Sequence, residues 1–291
     1  MSAAVSDPQA TVRRIARRHD ENFPVVFRLL PADQREDMRA IYAYCRGVDD
    51  LGDEAPGDRL ALLDGWQRDL ERAFDGTPED PRMAALAVAI RRRSLEPEPF
   101  LRLIEANRMD QRRSRWDTYA ELLHYCEHSA TPVGRLVLAV LGYRDTGRVA
   151  LSDATCTGLQ LVNFWQDIRR DRDDRDRIYL PREDMERYRV SEDDLQAPRA
   201  AAPVRGLVAF EVARARALLE EGAPLGGLVG WRARLDMRMF SAGGLALCDA
   251  IARQGYDTLR GRPAPGRAGR ATIGARVLWR TVWPGRGRMR A

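Results

Sequence analysis

The stretch REDMRAIYAYCRGVDDLG, residues 35–52, is the segment from which the fold is best inferred. Four of its apolar or weakly polar side chains recur at i, i+3, i+4 and i+7, the period of an amphipathic α-helix. They are Met38, Ile41, Tyr42 and Cys45. The same segment ends in a dense acidic run from Asp49 to Glu54. Because the predicted core-facing helix continues into a run of carboxylates, its C-terminal end is the first candidate for a functional site.

Helical periodicity recurs on both sides of this segment. The spacing predicts helices over 58–74, 81–93, 97–109, 152–172, 205–221 and 231–259. Residues 117–142 are predicted to form one long helix, or two helices that meet near Pro132. No run alternates apolar and polar residues for long enough to indicate a strand. The sequence therefore predicts a single all-α domain.

Composition narrows the class of protein. The chain has 291 residues, of which 44% are hydrophobic, so it can form a buried core. The N-terminus lacks the apolar stretch of a secretory signal, and no uncharged apolar run is long enough to span a bilayer. Four cysteines without a CxxC pair, and three histidines without an HExxH motif, indicate neither a disulfide framework nor a zinc site. These features predict a cytoplasmic protein, or one peripheral to the inner face of the membrane.

The C-terminal end of the chain is strongly basic. All basic residues of the protein are arginines, and nine of them follow Thr258 without any acid. Trp279 and Trp283 lie among these arginines. An anionic membrane surface suits this composition, because tryptophan favours the headgroup boundary. Nucleic acid is a less favoured partner, and a solvated extension without a partner is the third interpretation.

The acidic run after residue 48 has the spacing of a cation site. Asp49 and Asp53 are four residues apart and share one helical face, with Asp50 beside them and Arg46 one turn earlier. Like charges at this spacing destabilise a helix. A divalent cation would remove that cost, which favours a metal-binding role over a solvated acidic surface.

A second polar stripe lies in the segment GLQLVNFWQDIRRD, residues 158–171. Four amide and carboxylate side chains fall at i, i+3, i+7 and i+11 on one helical face. They are Gln160, Asn163, Asp167 and Asp171. Such a stripe offers the hard oxygen ligands that Mg²⁺ prefers. One acidic pair is most simply a solvated surface, but two such pairs at the ends of apolar helices predict a shared metal–diphosphate site between two helices.

These motifs resemble those of the squalene/phytoene synthase family of head-to-head prenyl transferases. The resemblance rests on IYAYCRGVDDLGDE at 41–54 and GLQLVNFWQDIRRDRDDRDRIYLP at 158–181. It implies an isoprenoid synthase fold around a central apolar cavity, extending over residues 19–262. Residues 1–18 would form an N-terminal extension and residues 263–291 a basic tail.

The resemblance also implies roles for particular residues. Two or three Mg²⁺ ions would be bound by Asp49, Asp50, Asp53, Asn163, Asp167 and Asp171. Arg46 and Tyr179 would bind the diphosphate, with the tyrosine using its hydroxyl group. Tyr42, Tyr125 and Gln160 would line the reacting centre. The substrate would be an isoprenoid diphosphate, and neighbouring enzymes of the squalene pathway are the implied protein partners.

Two further segments resemble the hydroxysqualene synthase branch of bacterial hopanoid and squalene pathways. They are ENFPV at 21–25 and PVGRLVL at 132–138. Asn22, Phe23, Phe27 and Arg135 would then contact the substrate. The implied reaction is a lyase reaction that converts presqualene diphosphate and water into hydroxysqualene and diphosphate. The alternatives are a condensing prenyltransferase that makes presqualene diphosphate, squalene or phytoene, and a non-catalytic helical protein that binds membranes or nucleic acid.

Overall fold

The computed structural model describes residues 28–266, together with Val12 and Val277. The helices are α1 (Ala32–Asp49), α2 (Arg59–Asp75), α3 (Pro81–Arg93), α4 (Glu98–Arg112), α5 (Tyr119–Ser129), α6 (Thr131–Leu141), α7 (Thr146–Arg175), α8 (Arg182–Arg187), α9 (Ala202–Gly222), α10 (Leu225–Leu228) and α11 (Trp231–Arg253). A π-helical turn, Asp50–Glu54, continues α1, and a 3₁₀ turn covers Asp193–Gln196.

The predicted all-α class is confirmed. Over residues 28–266 the only β-type pairing is an isolated parallel bridge between Arg115 and Ile178. No helix in this range is long and apolar enough to cross a membrane. The predicted segment 117–142 divides into α5 and α6, with Pro132 in the first turn of α6. The predicted helix 231–259 ends early, because Gly255 and Tyr256 adopt positive φ angles of 65° and 59°.

Local sequence explains where the helices begin. The Asp58 side chain accepts a hydrogen bond from the backbone N–H of Ala61 and so caps α2. Asp80 caps α3 in the same way, and Pro81 follows it at the first helical position. Gly76, just beyond α2, has a φ of 90° and ends that helix in a left-handed conformation. Short polar connections therefore separate the helices of this part of the chain.

The chain forms two compact units. The first consists of residues 28–113 and 127–149 within the described range, and the second of residues 114–126 and 150–266. Helices α1–α4 and α6 lie in the first unit, and α8–α11 lie in the second. The predicted domain limits at residues 19 and 262 stay a prediction, since residue 19 lies outside the described residues.

An aromatic cluster forms the core of the first unit beside α1. Tyr44 is fully buried, and its hydroxyl donates to the Phe100 carbonyl at 2.9 Å. Its ring lies 5.7 Å from the ring of Trp66 and 5.1 Å from that of Phe100. Gly47 makes this packing feasible, because a Cβ at that position would lie 2.6 Å from Trp66. The turn that precedes Asp49 is therefore fixed against the core.

Close contacts between helices organise the second unit. A Cβ at Gly158 of α7 would lie 2.8 Å from the Leu219 side chain and 3.0 Å from the Ala215 carbonyl, both in α9. Gly244 of α11 approaches Leu219 in the same way. Glycine at these two positions lets three long helices pack closely around Leu219, which fixes α7 at Gly158.

Candidate functional site

The acidic end of α1 is the first candidate. Asp49 ends the helix, and Asp50 and Asp53 lie in the π-helical turn that follows. Arg46 contacts Asp50 at 2.7 Å and Glu54 at 2.9 Å, so one guanidinium lies between two carboxylates. The first unit thus groups the predicted diphosphate ligand Arg46 with three predicted metal ligands. Glu54, the second partner of Arg46, was not among the predicted site residues.

The carboxyl group of Asp49 is a poor anion in its surroundings. Its pKa is raised to about 6, first by desolvation and then by the negative charge of Asp53. Solvent reaches the side chain, although protein atoms surround it closely enough to disfavour its charge. Arg46 and a hydrogen bond from Asn107 act in the opposite direction. A cation bound here would relieve the repulsion between the two aspartates.

Tyr42 lies one turn before Arg46 on α1 and is half-buried. Desolvation is the largest cause of its raised pKa, and the nearby charges of Asp49 and Asp50 add to it. Its phenol therefore stays protonated, in the same electrostatic environment as the acidic cluster. This placement agrees with its predicted position near the reacting centre, which stays a prediction.

The acidic end of α7 is the second candidate. Asn163 is exposed, whereas Gln160, Asp167 and Asp171 are half-buried. The side chains of Asp167 and Asp171 retain 15% and 14% of their exposure, less than expected for a purely solvated acidic surface. The carboxylates beyond them, at Asp173 and Asp174, are exposed. The predicted stripe is therefore set apart from the solvated acids that follow it.

The pKa of Asp171 is raised to about 7. Desolvation is the largest cause, and the charge of Asp167 is the second. Arg175 opposes the shift from a distance of 3.8 Å. Both candidate clusters thus contain one aspartate whose charge is disfavoured by desolvation and by a neighbouring aspartate.

An arginine from the C-terminal end of the described range binds the second cluster. Arg262 donates to both carboxylate oxygens of Asp167, at 2.6 and 3.0 Å. Next to it, Gln166 donates a hydrogen bond to the Pro263 carbonyl. Arg262 was not among the predicted site residues. It lies 95 residues from Asp167, and no local periodicity connects the two.

The predicted tyrosines of the second unit lie in an aromatic cluster. Tyr179 stacks on Phe164 with ring centroids 3.7 Å apart and an angle of 8°, and its other neighbour Trp116 lies at 4.6 Å. Tyr125 is buried against the same rings, 5.2 Å from Trp116 and 5.8 Å from Tyr179. Both tyrosines are thus held rigidly, which favours an oriented hydroxyl over a mobile one.

Of the remaining predicted substrate contacts, one lies within the described residues and three lie outside them. Arg135 lies on α6 and forms a salt bridge to Glu98 at 3.9 Å, and its predicted contact with substrate stays a prediction. Asn22, Phe23 and Phe27 lie outside the described residues, as does the greater part of the basic tail. Their predicted contacts with substrate and membrane stay predictions.

Comparison with known proteins decides the family. A model described as squalene/phytoene synthase matches residues 16–269. The chain belongs to the squalene/phytoene synthase family. Members of this family act on isoprenoid diphosphates, which gives both acidic clusters a chemical context.

Three relatives illustrate the range of this family. The crystal structure of the squalene synthase HpnC from Alicyclobacillus acidocaldarius shares 48% of its sequence with this chain, at a TM-score of 0.82, and the match covers 86% of this chain and 94% of that one. A 15-cis-phytoene synthase from Synechococcus elongatus is 31% identical over 89% of each chain. A hydroxysqualene synthase from Rhodopseudomonas palustris is 34% identical over 74% of each chain. The isoprenoid synthase fold predicted from the sequence is confirmed.

The donor set of this squalene/phytoene synthase family member fits Mg²⁺. In residues 28–266 no three His, Cys, Asp or Glu side chains are arranged to hold a metal ion by themselves. Mg²⁺ needs no such cage, because it usually binds one or two carboxylates and takes its other ligands from substrate phosphates and water. Each cluster offers two or more carboxylates, of which one is destabilised as a free anion. Asp49 and Asp53 in the first unit, and Asp167 and Asp171 in the second, are the residues of each cluster that would bind such an ion.

Proposed function

We propose that this protein is a Mg²⁺-dependent hydroxysqualene synthase. Its reaction would convert presqualene diphosphate and water into hydroxysqualene and diphosphate, which makes it a carbon–oxygen lyase. The observation that carries the proposal is the 34% identity with the hydroxysqualene synthase of Rhodopseudomonas palustris over 74% of each chain. The 48% identity with a squalene synthase of Alicyclobacillus acidocaldarius over 86% of this chain supports squalene-type rather than phytoene-type chemistry.

In the proposed reaction the bond between C1 of the substrate and the diphosphate oxygen breaks, and both electrons leave with the oxygen. The cyclopropylcarbinyl cation that remains rearranges with opening of the ring, water adds to the resulting cation, and one proton is lost to give the alcohol. Bound Mg²⁺ would supply positive charge for the leaving diphosphate. Arg46 would add a second positive charge, since its guanidinium already lies between Asp50 and Glu54 at the acidic end of α1.

In this proposal, the aromatic cluster of the second unit protects the carbocation from water and base. A carbocation is destroyed by any water or base that reaches it too early. Tyr125, Phe164 and Tyr179 are buried and packed against one another, so they present rigid ring surfaces rather than mobile polar groups. The Tyr179 hydroxyl would serve as a donor to the diphosphate.

A condensing synthase is the second candidate. The 31% identity with a 15-cis-phytoene synthase extends over 89% of each chain and favours it. Such an enzyme would join two isoprenoid diphosphates instead of hydrolysing one, and would be a prenyltransferase. Metal binding and diphosphate binding would use the same residues in both reactions, so the two functions differ in substrate and in the fate of the cation.

The test separates these reactions by product. We would incubate the purified full chain and Mg²⁺ with presqualene diphosphate, farnesyl diphosphate or geranylgeranyl diphosphate, and identify products by mass spectrometry. Hydroxysqualene from presqualene diphosphate alone, with one ¹⁸O atom from labelled water, is the expected result. Presqualene diphosphate or squalene from farnesyl diphosphate, or phytoene from geranylgeranyl diphosphate, would assign the protein to the condensing branch instead.

A further inference from the structure

The acidic end of α1 closes with an uncommon backbone geometry. The turn Asp50–Glu54 is π-helical, and the Ala55 N–H donates to the Asp50 carbonyl at 2.9 Å. π-helical turns are rare and are found often at functional sites. The last carbonyls of a helix also lack partners within the helix, so other groups must satisfy them. What holds this turn therefore also holds Asp49 and Asp53.

Helix α4 supplies one such group. The Gln111 side-chain amide donates to the Gly52 carbonyl at 2.9 Å, across 59 residues of sequence. The same amide donates to the backbone carbonyl of Asn107 at 3.2 Å, which fixes its direction. Gln111 thus caps the π-helical turn from outside and ties it to the last turns of α4.

Asn107 lies one turn before Gln111 on α4 and contacts the same π-helical turn. It is 9% exposed and donates to the Leu103 carbonyl at 3.1 Å. Its amide lies close enough to the Asp49 carboxylate to lower the pKa of that group. The contact with the π-helical turn is very close, because a Cβ at Gly52 would lie 2.0 Å from the Asn107 side-chain oxygen. Glycine is thus required at position 52 by the approach of Asn107.

We propose that Asn107 and Gln111 are positioning residues for the metal site at the end of α1. Neither touches substrate in this proposal: Asn107 orients the Asp49 carboxylate, and Gln111 fixes the turn that carries Asp53. The inference rests on the proposed function, since it takes these aspartates as Mg²⁺ ligands. Groups that orient ligands in this way typically change metal affinity or activity 10–100-fold when removed.

A purely structural role would predict a different pattern. An amide that only filled space beside Gly52 could be replaced by an apolar side chain of the same length at little cost. The Gln111 amide instead donates to the Gly52 carbonyl of the π-helical turn, and the bonds of both amides to carbonyls within α4 fix their direction. Their loss should therefore weaken cation binding more than it weakens the fold.

The test measures Mg²⁺ binding by the full chain. The probe is Mg²⁺ titrated at a fixed concentration of inorganic diphosphate, followed by calorimetry and by the melting temperature. Asn107→Ala and Gln111→Met should raise the half-saturating Mg²⁺ concentration about 10–100-fold. Arg112→Ala is the matched control on the same helix, because Arg112 contacts only Glu105 on the surface. It should bind Mg²⁺ within about twofold of wild type.

Two further readouts separate positioning from folding. Excess Mg²⁺ should restore the kcat of both variants with presqualene diphosphate, whereas a damaged fold would not respond to the ion. Gly52→Ala should weaken Mg²⁺ binding in the presence of Asn107 and add much less to Asn107→Ala, since the contacts at 2.0 and 2.8 Å disappear and only the one at 3.1 Å to the Cβ of residue 107 remains. Additive effects in this double-mutant cycle would show that the contact between residues 52 and 107 is not the cause of the weaker Mg²⁺ binding.

The outcomes distinguish the two proposals. If the wild-type protein shows no Mg²⁺-dependent response to diphosphate, both the proposed function and the positioning role are overturned. If wild type responds and Gln111→Met and Asn107→Ala respond at the same Mg²⁺ concentration, the positioning role alone is overturned. Gln111 is half-buried, so its methionine variant remains informative if Asn107→Ala fails to fold.

Discussion

At the scale of single residues, Asp171 links stability to function. Its pKa is raised from 3.8 to about 7 by desolvation and by Asp167. The folded protein therefore retains a proton that the unfolded chain has lost between these two pH values. Since the native state binds more protons there, stability falls as pH rises from about 4 to about 7. Above that range, the metal-free protein carries the full cost of an ionised Asp171.

We expect Asp171→Asn to remove this cost and the activity together. Without Mg²⁺ at pH 8, the variant should be more stable than wild type by about 1–2 kcal/mol, a value reduced by solvent screening. The gain should shrink at pH 5. Asp174→Asn is the control, because Asp174 is exposed and contacts Arg170 at 3.6 Å. Melting curves at both pH values and a turnover assay check this, and an equal gain at pH 5 and pH 8 would contradict it.

Glu211 provides a second pH-dependent residue, away from the acidic clusters. It is fully buried beside Asp184 and Arg214, so one arginine faces two carboxyl groups. Burial raises its pKa from 4.5 to about 8, against the effect of Arg214. The native state thus binds a proton that the unfolded chain loses above pH 4.5, and stability falls between that pH and about 8.

Replacing Glu211 by glutamine should flatten this pH dependence. Wild type should lose about 1 kcal/mol per pH unit relative to Glu211→Gln between pH 6 and pH 8. Urea unfolding at three pH values measures the difference. Glu220→Gln is the matched control on α9, since Glu220 is exposed, and it should leave the slope unchanged. Parallel curves for wild type and Glu211→Gln would show that Glu211 is ionised throughout.

At the scale of the elements, close helix packing fixes the direction of α7. Gly158→Ala would place a Cβ 3.0 Å from the Ala215 carbonyl, and backbone cannot move aside cheaply. We expect a loss of about 1–3 kcal/mol in unfolding free energy. Gly243→Ala is the control, because it lies in α11 with nothing within 4 Å of the new Cβ, and it should be neutral or slightly stabilising. Denaturant unfolding of both variants measures the contrast.

The elements also show how far sequence reasoning extends. Periodicity located the helices well, and Pro81–Arg93 agrees with the prediction at both ends. It predicted an unbroken helix through residue 52, whereas the structure ends α1 at Asp49 and continues with a π-helical turn. That turn is held by Gln111, 59 residues away, so its cause lies outside the local pattern. Arg262 was missed for the same reason, since its partner Asp167 is 95 residues distant.

The acidic clusters were predictable because their signal is local. Spacing on one helix face places Asp49 with Asp53, and Asp167 with Asp171, without knowledge of the rest of the chain. The electrostatic character of each cluster was not predictable, since the raised pKa values of Asp49 and Asp171 depend on desolvation by the surrounding protein, which local spacing does not show. Periodicity thus identified the candidate ligands, whose metal binding stays a prediction, and only tertiary structure revealed what surrounds them.

At the scale of the whole molecule, the end of the enzyme domain and the start of the tail can be separated experimentally. Arg262 and Pro263 contact Asp167 and Gln166 of α7, so they belong with the folded part of the chain. The residues after Gly266 carry seven arginines, two tryptophans and no acid. We propose that this later segment binds an anionic membrane surface, where each arginine near the surface contributes about 1 kcal/mol.

A chain ending at Gly266 should therefore keep its turnover of a detergent-dispersed substrate within about twofold, while its binding to vesicles of anionic lipid falls more than tenfold. Sedimentation with anionic and zwitterionic vesicles at two salt concentrations measures the binding, which should weaken as salt screens the arginines. A chain ending at Arg260 is the comparison, because it also removes the ion pair between Arg262 and Asp167. Loss of turnover in the shorter chain alone would place the functional boundary within residues 261–266. Undiminished vesicle binding by the Gly266 chain would contradict the membrane role of the tail, and the partner surface would then have to lie within residues 1–266.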